Sequence, residues 1–236
     1  MKHLKKQYHH LNGKLNRFRE KLEGPEIQDA RVLLHKEIAN TITHGIGLLF
    51  FLIAIPVMLT RYFQQDRFIY TATAMIFGLG LAMVYLSSTL YHGIQHASAK
   101  RILQIIDHVS IFLLIGGSYT PIVYHFLPLE TAIPFLTVLW VIIAGGIVYK
   151  IFFTGRYRIL STLLYLVLGY LSLFVIRPIS ANMPSGSFNL LVLGGVLYTV
   201  GTIFYLWKAP KYNHAVWHVF VLGGSISHYF VVFNIV

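Results

Sequence analysis

Seven apolar runs, each close to the about 20 residues a helix needs to cross a hydrocarbon core, occupy positions 38–60, 69–92, 102–125, 131–150, 158–178, 188–207 and 213–234. Short polar segments with Pro, Gly, Lys or Arg separate them. The pattern predicts an all-α integral membrane protein, a bundle of seven transmembrane helices. Pro56 and Pro121 fall inside runs and predict local kinks. Glycine pairs at 116–117, 145–146, 194–195 and 223–224 predict close helix–helix approach.

Before the first run the pattern changes. Leu4, Tyr8, Leu11, Leu15, Phe18 and Leu22 recur at helical spacing, and Lys5, Lys6, Lys14, Arg17, Arg19 and Lys21 lie mostly off that stripe. This predicts an amphipathic helix on an anionic membrane surface or, equally, a poorly ordered basic tail. Glu23-Gly24-Pro25-Glu26 reads as a linker. The chain therefore divides into a basic tail, 1–36, and a transmembrane domain, 37–236.

Composition agrees with the membrane reading: 56% of the 236 residues are hydrophobic and 11% charged, against about 25% charged in soluble domains. The net charge of +11 has little to do with nucleic acid, because the basic residues punctuate apolar runs. Their distribution sets orientation instead. With the N-terminus inside, the inner segments hold 16 Lys and Arg, and the outer loops hold three, Arg61, Arg67 and Arg177. The tail is therefore expected in the cytoplasm, Val236 outside, and the protein in the plasma membrane as a multi-pass chain. With no cysteine, disulfides, thiolate metal sites and cysteine nucleophiles are excluded.

This topology gives each polar residue a depth. Ser88 and His92 lie at the cytoplasmic end of the second run, Asp107 in the first turns of the third, and His214 and His218 in the first turns of the seventh. Glu37, Asn40 and His44 lie at the same level on the first. Spacings of three, four and seven residues put each set on one helical face. Charge inside a bilayer is costly and seldom idle. His92, His214 and His218 therefore form a candidate three-imidazole metal set, for which zinc is the default. Zinc would polarise a carbonyl and acidify a water, Asp107 would hold that water and take its proton, and Ser88 would hydrogen-bond the water or the oxyanion. His44 is expected to orient a ligand, with Glu37 and Asn40 supporting it. A plain interhelical hydrogen-bond network or proton path is the alternative. His228 is expected to be a satisfied interior histidine or cavity lining, and His96 and His108 interfacial.

Glu37-x2-Asn40-x3-His44, then Ser88-x3-His92 with Asp107 downstream, then His214-x3-His218 together resemble the three motifs of the progestin and adiponectin receptor family. The short, bare loops are similar to its bacterial haemolysin III-like branch. The resemblance covers nearly all of 35–236 and leaves out the basic tail. It implies seven helices with the N-terminus inside. It also implies zinc held at His92, His214 and His218 with Asp107 on its water, and membership of a wider group of membrane metal hydrolases, some linked to ceramide cleavage. The bacterial branch is linked to membrane-lipid homeostasis.

Three functional classes follow. The first is a zinc-dependent hydrolase of a lipid amide or ester, ceramide-like, entered laterally from the bilayer. The second is a metal- and lipid-dependent sensor or receptor without turnover. The third is a channel or haemolysin-like pore. Neither the substrate nor the oligomeric state is encoded in any motif.

Overall fold

A computed structural model describes residues 5, 6, 8, 12–14, 25–64, 67–207 and 209–236. Of the predicted tail stripe only Tyr8 falls among them; Leu4, Leu11, Leu15, Phe18 and Leu22 lie outside the described residues.

The helices are α1 (Pro25–Phe63), α2 (Phe68–Gly93), α3 (Ala97–Phe126), α4 (Leu129–Phe153), α5 (Arg158–Tyr170), α6 (Ile176–Asn182), α7 (Ser185–Leu206) and α8 (Asn213–Phe233). Six are long and apolar enough to span a membrane, and α5 with α6 makes a seventh, broken span. Pro25 opens α1, where its missing N–H costs nothing. The helix then runs 39 residues without a break, about 58 Å at 1.5 Å per residue. That is well beyond a hydrocarbon core of about 30 Å, so the first turns of α1 stand clear of the bilayer. Pro56 and Pro121 lie within continuous helices.

The sequence pattern predicts one run over 158–178, and here the structure differs. The chain turns by 57° between α5 and α6 through a 3-10 turn at Leu171–Phe174. Pro178 accounts for the α6 side of the break. It sits in the first turn of α6, where it has no N–H to give and its ring excludes the Phe174 carbonyl. An unsatisfied carbonyl in a bilayer costs several kcal/mol, roughly. The carbonyls released at the break are met from α3: the Tyr119 hydroxyl lies 2.6 Å from Gly169 O and 3.0 Å from Leu168 O. Ser172 Oγ also donates to Gly169 O, at 2.9 Å.

Helix α3 is the hub, touching α2, α4, α5, α6 and α8, while α1 closes the bundle against α2 and α8. The α2–α3 contact is backbone on backbone. A Cβ on Gly80 would lie 3.0 Å from Leu113 O, and one on Gly117 would lie 3.1 Å from Ile76 O. Side chains with no room there are therefore absent, as small-residue packing in membranes requires. Phe51, Met58, Phe77, Leu81, Tyr85 and Phe112 fill the interior. Outside, Ile53, Leu79, Val138 and Val141 are more than half exposed. An apolar exterior around a core that also holds buried His, Ser, Asn and Lys suits a lipid solvent.

A candidate metal centre at the cytoplasmic end

The inner end of the bundle is where α2 finishes and α8 begins, with α1 packed across both. His92 stands in the last turn of α2, and His214 and His218 stand in the first two turns of α8. One ring nitrogen from each lies within 4.8 Å of the others. Imidazole needs both nitrogens accounted for when buried. His92 Nε2, His214 Nε2 and His218 Nε2 are all buried without a hydrogen-bond partner.

The opposite nitrogens of two of these rings are engaged, and by acceptors. His92 Nδ1 is 2.7 Å from Glu37 Oε2, so the ring donates to the carboxylate. The Asn40 amide nitrogen, itself a donor, lies 3.4 Å from the same nitrogen, a longer contact that does not compete with the carboxylate. His218 Nδ1 lies 3.3 Å from the Asn40 carbonyl and 3.1 Å from Thr43 Oγ1. The Thr43 hydroxyl is itself turned to Ala39 O and Asn40 O, so it accepts from the histidine. An N–H committed at Nδ1 leaves a lone pair at Nε2. Both rings therefore present an acceptor nitrogen toward the shared space, the tautomer a cation needs. His214 is held by packing, its ring 4.9 Å from Trp217 and 5.9 Å from Tyr205.

Glu37 in turn receives Lys100. The ammonium is 3.4 Å from Glu37 Oε2 and donates to Tyr91 O at 3.1 Å and to Gln95 Oε1 at 3.2 Å. The loop between α2 and α3 is thus tied to the carboxylate that orients His92.

His44 differs from the expectation. Its ring stacks on His218 with centroids 3.6 Å apart and lies 5.0 Å from Tyr85. Both its nitrogens lack partners. Glu37 and Asn40 meet His92 and His218 instead, because four and seven residues of helix carry the His44 side chain about 6–10 Å deeper. His44 touches a ligand ring through its face, not through a hydrogen bond.

The Asp107 carboxyl faces His92, Ser88 and Lys150, and His108 Nδ1 lies 3.7 Å from its Oδ2. Ser88 Oγ is buried beside that carboxyl. His108 is half-buried against Asp107, and its carbonyl accepts from Tyr165 at 2.9 Å. His228 is buried between α7 and α8, its Nε2 3.3 Å from Leu191 O and its ring against Gly194.

Sequence reasoning missed Thr43, Lys100 and Lys150. Thr43 carries no signal, since a threonine beside a histidine is ordinary. Lys100 and Lys150 enter the sequence reading only among the inner Lys and Arg that set orientation. Lys150 is 2% exposed and stands over the Tyr165 ring at 5.8 Å. Its position at the same depth as Asp107 was the available clue.

The arrangement brings three buried ring nitrogens together, two of them as acceptors, with the Asp107 carboxyl facing His92 and Ser88. The residues fit a metal ion, which would be held by His92, His214 and His218. Among the described residues no other such group occurs.

Comparison with known proteins places the chain. The family model described as "Haemolysin-III related" matches residues 32–229. The "Hemolysin-3 homolog" of Bacillus subtilis (strain 168) is 45% identical over 201 residues, 84% of this chain and 93% of that protein. The "Hemolysin-3" of Bacillus cereus is 39% identical over 197 residues, 84% of this chain and 90% of that protein. The human "Monocyte to macrophage differentiation factor" is 26% identical over 172 residues, 69% of each chain. No solved structure matches the chain. With its apolar helices, its inward polar cluster and a family match over most of its length, the chain belongs to the haemolysin III-related family of multi-pass membrane proteins.

Proposed function

We propose that this protein is an intramembrane, zinc-dependent hydrolase of a lipid amide or ester of the ceramide type, working in membrane-lipid homeostasis. One observation carries the reading: three buried imidazole nitrogens converge without partners in the chain, while Glu37, Asn40 and Thr43 hold the far side of two of the rings. A bundle needing those histidines only for packing would have turned their nitrogens to one another or to carbonyls.

When bound, zinc supplies Lewis acidity to a carbonyl oxygen and acidity to water. The remaining work belongs to the chain. Glu37 keeps His92 in the Nδ1–H tautomer, and Asn40 O does the same for His218. Asp107 takes the proton of the attacking water on a carboxylate oxygen and returns it to the leaving nitrogen or oxygen. The Ser88 hydroxyl, buried beside the Asp107 carboxyl, donates to the carbonyl oxygen as charge builds there. The substrate enters from the bilayer, so its scissile bond meets these groups at the cytoplasmic level while its chains stay among the helices.

The test is turnover of a ceramide and of ester lipids by purified protein, followed as released fatty acid, alongside metal content. Asp107→Asn is expected to keep the metal and lose turnover by about 10²–10⁴-fold. Full activity after chelation overturns the hydrolase reading. Bound metal and bound lipid with no turnover of any amide or ester would make the protein a sensor. Ion flux through liposomes would make it a pore.

A further inference from the structure

At the end of the bundle opposite the histidines, α1 and α8 part to leave a groove of about 330 Å³. Phe50, Ile53 and Val57 form one wall, and Phe230 and Phe233 form the other. Ala54 and Tyr229 form the floor. The Tyr229 hydroxyl adds no polarity, because it is turned inward and donates to Ala54 O at 2.9 Å. Tyr62 makes a second tie, donating to Val232 O at 2.7 Å. The groove therefore has a pinned floor and a lining that offers no hydrogen bond. Its walls stay open to the bilayer: Ile53, Val57 and Phe230 are 71%, 52% and 41% exposed.

Its rim is different. Arg61, one turn beyond Val57, lays its guanidinium over the Phe233 ring at 4.7 Å. The ring that closes the apolar slot is the same ring on which the cation rests. From Phe50 to Val57 the slot is about 10 Å long, and Arg61 stands about 6 Å farther on. An outer leaflet is about 15 Å from midplane to headgroup. An apolar slot with a cation at headgroup height matches a phospholipid in both its parts.

We infer that the α1–α8 groove binds one acyl chain of an anionic outer-leaflet phospholipid, whose phosphate or headgroup anion meets Arg61. Two features select lipid over a second copy of the chain. The groove takes a thin, flexible occupant along its length, and a two-fold contact through this patch would bring two Arg61 side chains to the same depth across the axis. The site is separate from the histidine cluster and does not depend on its chemistry.

The experiment is native mass spectrometry of protein released from bilayers holding equal phosphatidylglycerol and phosphatidylcholine. The unaltered protein is expected to retain one lipid, with phosphatidylglycerol favoured about five-fold, the preference one basic residue near a surface provides. Arg61→Gln is expected to keep the adduct and lose the preference. Val57→Trp, which fills the slot from an exposed position, is expected to lose the adduct whatever the headgroup. Elution as one species checks that both variants fold. Equal retention by all three proteins, or no headgroup preference in the unaltered one, overturns the proposal. So does a cross-linked dimer through Ile53→Cys, which would give the groove to a second copy.

Discussion

A ring nitrogen buried without a partner is the smallest unit on which the reading of this protein turns. His92, His214 and His218 each bury such an atom, and each loss should be separable. His218→Ala removes one of three acceptors and should take bound metal from about one per chain to near zero by elemental analysis, with the helical circular dichroism unchanged. Glu37→Gln keeps the shape of the side chain but weakens the hold on His92 Nδ1. Orienting partners of this kind are worth about 10–100-fold in metal affinity, which a competing chelator would measure. An unchanged affinity would mean that Glu37 serves Lys100 alone. Thr43→Val should weaken metal binding less than Glu37→Gln does, since Asn40 O remains to accept from His218. The motif spacings already placed Glu37, Asn40 and His44 on one helix face, but not which ring each would touch. A face is an angular statement, whereas a contact depends on the tilt and register of a neighbouring helix.

At the scale of elements, the broken span shows where pattern reading stops. Hydropathy over 158–178 is uniform, and a window of that kind cannot see a change of direction. Pro178 was visible, but it frees only the Phe174 carbonyl; the end of α5 at Tyr170 also depends on whether a neighbour can meet its last carbonyls. Tyr119, on α3 and 50 residues from Gly169, is that neighbour. Tyr119→Phe takes one donor from Leu168 O and Gly169 O, leaving Ser172 Oγ on Gly169 O, and should cost about 0.5–1.5 kcal/mol, read as a lower unfolding temperature in detergent. No change in that temperature would mean that the break is satisfied within α5 and α6 alone. The α2–α3 seam makes the converse point. Of the glycines marked by the pairs, Gly117 lies against backbone, as does the unpaired Gly80, while Gly145 and Gly195 have open space beside them. Gly80→Val is therefore expected to destabilise by about 1–3 kcal/mol through overpacking, and Gly195→Val to be nearly silent in the same assay.

The whole molecule is an apolar shell around a polar inner end, with its orientation set by the Lys and Arg count. Because the chain contains no cysteine, that orientation can be read directly with single introduced thiols. Lys211→Cys should react with a membrane-impermeant maleimide only after cells are opened, and Arg177→Cys should react on intact cells. The reverse pattern would invert the topology and move the histidine cluster to the outer face. At this scale the chain was most legible: the spans and their order follow from hydropathy, because the bilayer imposes one length on every helix, and the charge bias assigns the direction that the thiol labelling checks.

What the sequence alone determined, then, is everything that a single helix carries in itself: its length, its polarity, its depth in the membrane and the face on which its rare polar residues fall. From depth and face it followed that four helices would bring Glu37, Ser88, His92, Asp107, His214 and His218 to one level. Only the tertiary structure decided the rest. It gave His92 to Glu37 and His218 to Asn40 and Thr43, made His44 a stacking partner, buried Lys150 beside Asp107, and opened a groove between α1 and α8 under Arg61. Those outcomes depend on the rotation and spacing of helices about one another, set by the close packing of glycines and aromatic rings from distant parts of the chain. No local pattern holds that information, because each packing contact is a property of two helices at once.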